Sequence, residues 1–204
     1  MTLPAGLARI LPMLATLALL VVAISLVSPG FLDISVANGR LYGSPIDVLN
    51  RGAPVALLAI GMTLVIATGG IDLSVGAVMA ICGAVAAKMV TLGYPLPVTL
   101  LAALATGAAC GFWNGLLVSV LRIQPIIATL ILMVAGRGIA QLVTEGAILT
   151  FSDPGFAFLG SGATLGVPFP VLLWIAAAVG TILVLRRTAL GFLIEAVGIN
   201  PRAA

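Results

Sequence analysis

Long apolar runs separated by short polar breaks constrain this chain more than any other feature. Runs of about 20 residues recur along it, the length a helix needs to cross a hydrocarbon core. Only 7% of the 204 residues are charged and 62% are hydrophobic. Ordinary soluble domains carry roughly 25% charged residues, so this chain cannot solvate the surface of a globule. The apolar–polar alternation of barrel strands, sustained over about ten positions, is absent from the sequence. The expected fold is an all-α, polytopic transmembrane helical bundle, hence a multi-pass membrane protein.

Six membrane segments are expected, at 10–27, 53–68, 73–90, 98–121, 126–143 and 169–185, within one transmembrane domain covering 1–204. No clear small-residue cleavage site follows the first run, so 10–27 reads as a retained span rather than a signal peptide. The stretch 44–50 reads as a short interfacial helix capped by Ser44 and separate from the second span. Arg9, Arg122, Arg186, Arg187 and Arg202 fall at one set of helix ends, which the positive-inside rule assigns to the cytoplasm. Arg40, Arg51 and Lys88 fall at the outer ends, beside Asp33, Asp47, Glu145 and Asp153.

Composition also narrows the chemistry. A net charge of +3 is too small and scattered to indicate nucleic acid as a partner. There is no histidine, and the two cysteines, Cys82 and Cys110, sit among small residues inside apolar runs, where they read as packing groups. No phosphate loop, metal-ligand cluster or nucleophile–base pair is present, so neither a cofactor nor a metal is expected. If the protein transports uphill, a partner must supply the energy.

Charged groups inside a bilayer are expensive and face protein or a water-filled cavity. Asp72 and Arg137 are the two that qualify. Asp72 lies in GGIDLS, where Gly69 and Gly70 let the backbone leave helical geometry and Asp72 or Ser74 can cap the next helix. The expectation is a broken helix, with a hinge role or a solute contact as alternatives, at a depth the sequence leaves open. Arg137 shares a helical face with Gln141, and Thr129 and Glu145 extend this into a polar stripe. An ion pair or snorkelling is expected there ahead of solute binding. Gly107, Gly111 and Gly115 line one face of the fourth segment at a spacing that suits helix packing, within the subunit or across a dimer. Nearby Asn114 is expected to make an interhelical hydrogen bond.

Three ordered blocks carry a family resemblance. GMTLVIATGGIDLSVGAVMAICGAVAA (61–87) resembles the signature of permease subunits of bacterial ABC sugar importers of the ribose/xylose/galactoside-type branch. IQPIIATLILMVAGRGIAQLVTEG (123–146) is similar to that family's second common block, and GFLIEAVGINPRAA (191–204) to the start of its cytoplasmic coupling segment. Within the branch, the wording over 40–81 is most similar to galactofuranose-type permeases. The resemblance implies an inner-membrane path for a monosaccharide, built by two permease subunits, alike or different, in the lipid bilayer. It also implies a periplasmic sugar-binding protein docking on outer loops that include 144–168. A cytoplasmic ATPase subunit would bind ATP and engage 187–204 through Glu195, Ala196, Gly198, Asn200 and Ala203. Family permeases have more spans than this chain, with the coupling segment near their middle, so an N-terminal portion of a permease is expected. An ion-gradient-driven sugar carrier, with its site at the broken helix, and a scaffold without a solute path are the rival classes.

Overall fold

The computed structural model describes residues 5–37 and 39–200. Ala203 and Arg202, and the side chain of Arg9, lie outside the described residues. Along the chain run α1 (Ala5–Val27), β1 (Ser35–Ala37), β2 (Arg40–Tyr42), α2 (Ser44–Ala67), α3 (Val75–Thr91), α4 (Leu96–Ser119) and α5 (Pro125–Val143). They are followed by α6 (Pro154–Ser161), β3 (Ala163–Thr164), β4 (Val167–Pro168), α7 (Phe169–Arg187) and α8 (Ala189–Ile199). α1, α2, α4, α5 and α7 are each long and apolar enough to cross a membrane. α3, which answers to the expected third segment, is apolar but only 17 residues long, shorter than these five. The all-α membrane bundle follows from composition, as expected.

One element departs from the expectation. The interfacial helix at 44–50 and the second span are a single 24-residue helix, α2, which carries Pro54 inside it. Ser44 makes no capping bond; Gly43 is the N-cap, at φ 146. A Cβ on Gly43 would collide with the Asp33 carbonyl, so the backbone itself crowds this entry and only glycine fits. Pro45, in the first turn, has its φ preset for the helix and lacks an N–H that would go unused there.

The buried core is where α3 meets α4 and α5. Ala77, Ile81 and Ala84 of α3 recur at helical spacing, as do Ala128, Leu132 and Gly136 of α5, and all six are buried. A Cβ on Gly136 would stand 2.8 Å from the Ala77 Cβ and 3.2 Å from Ile81 Cδ1. Small residues on both faces thus let α3 and α5 approach closely.

α2 packs instead on α7 and touches α8, and its contact with α3 or α4 is at most marginal. The bundle therefore consists of two packed bodies, α3–α4–α5 and α2–α7–α8, with a seam between them. At one end the hairpins β1–β2 and β3–β4 meet through Leu41 N–H to the Gly166 carbonyl, 3.0 Å. The Arg40 guanidinium donates to the Ser161 carbonyl at 2.7 Å. Lys88 and Glu145, at the ends of α3 and α5, form an ion pair of 2.7 Å.

Candidate functional site

The seam's geometry starts at the break between α2 and α3. Thr68 is the C-cap of α2, Gly69 follows at φ +77, Gly69 N–H donates to Ile66 O (2.9 Å) and Gly70 N–H to Val65 O (3.0 Å). These are the two bonds of a Schellman stop, for which glycine is the favoured left-handed residue. α8 reaches this same point, because a Cβ on Gly198 would collide with the Ala67 carbonyl oxygen. The break therefore lies at the end of the bundle that carries α8. Its polar residues reach Asn114, five residues before the end of α4, about 7.5 Å inside that end at 1.5 Å per residue.

Beyond the glycines the chain is held by side chains. Asp72 Oδ1 accepts from the Ser74 N–H (2.7 Å) and from the Ser74 hydroxyl (2.6 Å). Ser74, fully buried, is the N-cap of α3, but its own side chain does not cap the helix. Its hydroxyl accepts from Asn114 Nδ2 at 2.9 Å. Thr129, on α5 and 4% exposed, accepts the Leu73 N–H at 3.1 Å. Asp72 thus satisfies a backbone N–H at the break, and Thr129 satisfies the one before it. Asp72, Ser74, Asn114 and Thr129 form one constellation tied to the α3–α4–α5 body.

The other residues singled out in the sequence lie elsewhere. Arg137 and Gln141 are exposed on α5, and Arg137 has no ion-pair partner among the described residues. Thr129 faces the break rather than joining them. The Lys88 ammonium beside Glu145 holds that carboxyl below its usual range, by hydrogen bond first and by charge second. Along α4, a Cβ at Gly107 would sit 3.4 Å from Cys82 Sγ, whereas at Gly111 or Gly115 it would meet nothing within 4 Å. That face opens onto the seam. On α8, Glu195 and Gly198 are exposed, Ala196 is half-buried, and Asn200 N–H closes the helix on the Ala196 carbonyl at 2.9 Å.

Two cavities meet at the constellation. One of about 390 Å³ runs between α2 and the α3–α4 pair, past Leu57, Val65, Cys82 and Gly107. The other, of about 300 Å³, lies toward Pro125 and Thr129. Val65, Asp72, Gly111 and Asn114 line both. Gly136 and Val65 were not legible as site or packing residues in the sequence. The signal for Gly136 was its place in the four-residue series Ala128, Leu132, Gly136; Val65 had none.

Residues 44–204 match the family described as branched-chain amino acid transport system / permease component. The chain belongs to this permease family. It is similar to the galactofuranose transporter permease protein of Escherichia coli, 59% identical over 95% of this chain and 57% of that protein. The fructose import permease protein of Bifidobacterium longum is 43% identical over 91% of this chain and 54% of the relative. The ribose import permease protein of Escherichia coli is 38% identical, over 93% and 58% respectively. The chain thus spans a little over half the length of these curated relatives. No solved structure matches it. Permease family and apolar spans together make this a multi-pass protein of the bacterial inner membrane.

Proposed function

We propose that the chain is part of the permease subunit of an ATP-driven importer, forming an inner-membrane path for a monosaccharide. The observation that carries this is the seating of α8 on the end of α2, at the glycine break where the two helix bodies join. Force applied to α8 reaches α2 and α7 directly. α3, α4 and α5 are held separately through Asp72, Ser74, Asn114 and Thr129. Rigid-body motion of one packed unit against another is how alternating access operates, and the Gly69–Gly70 stop is the place to absorb it.

The partners in this reading are a cytoplasmic ATPase subunit, which binds the ATP, and a second permease subunit, identical or related. A periplasmic sugar-binding protein docks on the side of the two hairpins and α6. Glu195, Ala196, Gly198, Asn200 and Ala203 contribute to the ATPase contact, where exposed Phe192 and Ile199 offer apolar anchors. Galactofuranose is the first substrate to test, because the galactofuranose permease is more similar (59%) than the fructose (43%) or ribose (38%) permease. The complete permease, reconstituted in proteoliposomes with its ATPase and binding protein, should accumulate galactofuranose only while ATP is hydrolysed. Uptake that survives without hydrolysis but collapses with the ion gradient would replace this reading with a secondary carrier, which neither the family nor the relatives support.

A further inference from the structure

We infer that the seam beside the polar cluster is a hydroxyl-recognising subsite for a neutral monosaccharide, with Asn114 and Asp72 supplying its acceptors. This rests on the importer reading above. The order of the hydrogen bonds decides which atoms are left for a ligand. A carboxylate only accepts, so the Ser74 hydroxyl spends its proton on Asp72 Oδ1. Its lone pair then faces Asn114 Nδ2, which fixes the amide with its oxygen turned away. That oxygen, Oδ1, is buried without a hydrogen-bond partner on a residue only 8% exposed. Asp72 Oδ2 takes no hydrogen bond from the described residues either.

The surroundings match a sugar rather than an ion. Both residues line both cavities, and at Gly111 between them no atom stands within 4 Å of a Cβ position. α3 begins here at Val75, whose N–H has no intrahelical acceptor and adds a donor. Leu57, Val65 and Val78 supply apolar wall for the C–H face of a ring. A volume of about 390 Å³ lies in the range of roughly 300–1,000 Å³ for small-ligand sites. A metal cation would find a single carboxylate, and no group of three or more metal-binding side chains exists among the described residues. Asn114 Oδ1 has no solvent contact in this arrangement of the helices, so a hydroxyl reaches it only when the helices around the seam shift. An acceptor left unpaired in one state and paired in the next gives passing sugar a reason to favour the open seam.

Cys82 lines the larger cavity beside these residues and serves as the reporter. The complete permease–ATPase assembly, in nanodiscs without binding protein and with Cys82 its sole cysteine, is alkylated with N-ethylmaleimide in the presence of galactofuranose, fructose or ribose. At a concentration of about four times its Kd, at least one sugar should slow alkylation about fivefold, the factor being one plus the ratio of free sugar to Kd. Asn114→Ala should lose the protection, with each variant's rate in sugar compared with its own rate without sugar. Gly111→Val, which fills the opening while leaving every bond of the cluster in place, should lose it as well. Protection unchanged in both variants would overturn the subsite. So would ATP-driven uptake of any of the three sugars by an assembly in which none protects Cys82. If the complete system takes up no sugar with ATP, the importer reading itself falls, and the subsite with it.

Discussion

Ser74 is the residue on which the polar cluster depends, because its hydroxyl both donates to Asp72 and accepts from Asn114. Ser74→Ala should leave the buried Asn114 amide with no partner at either atom. The expected cost is about 1–3 kcal/mol, read as a lower thermal midpoint of the purified assembly. Glycines separate along the same logic. Gly136→Val drives a side chain into Ala77 and Ile81, and overpacking of this kind costs about 1–3 kcal/mol. Gly111→Val meets open space and should leave the midpoint nearly unchanged. Equal losses from the two substitutions would mean that α4 is packed more tightly than the structure shows. Both glycines look alike in the sequence, where each stands at four-residue spacing from small or apolar neighbours. Only the neighbouring helix makes one a packing residue and the other the rim of a cavity.

At the scale of elements, α8 and the break between α2 and α3 act on one another. Gly198→Leu should lift α8 from the end of α2 and leave ATP hydrolysis running without matched uptake, so sugar moved per ATP should fall severalfold. An unaltered ratio would separate α8 from the coupling path. The opposite end of the bundle carries a pH-sensitive tie. Lys88 lowers the Glu145 carboxyl, so the pair contributes fully above the ordinary carboxylate value of the unfolded chain. That contribution is lost as pH falls through the lowered folded value. Glu145→Gln should therefore reduce the acid-side loss in thermal midpoint, measured between neutral and strongly acidic pH. The pair is exposed, so the effect is small. The break itself was legible, because Gly-Gly followed by Asp and Ser marks a stop and a restart. The cap was legible only in part, since the acceptor for the Leu73 N–H is Thr129, 56 residues away in the chain.

For the whole molecule, two bodies joined at a glycine stop imply a specific pattern of motion. Spin labels at Val134 on α5 and Val179 on α7 should change separation between nucleotide-free and nucleotide-bound assemblies. Labels at Val134 and Met79, within the α3–α4–α5 body, should not. Invariant distances in both pairs, measured by pulsed dipolar spectroscopy, would rule out the hinge. The sequence by itself determined that the chain crosses a membrane repeatedly as helices. Apolar runs of spanning length can satisfy their backbone in lipid only by coiling, and that inference needs no knowledge of neighbours. It also placed a stop at Gly69–Gly70, which is local backbone chemistry. Tertiary structure decided which helices pair, where the seam falls, and that Asp72, Ser74 and Asn114 form one chain of hydrogen bonds. Those outcomes depend on which small residues meet across helices, and helical spacing alone assigns faces without saying what each face meets.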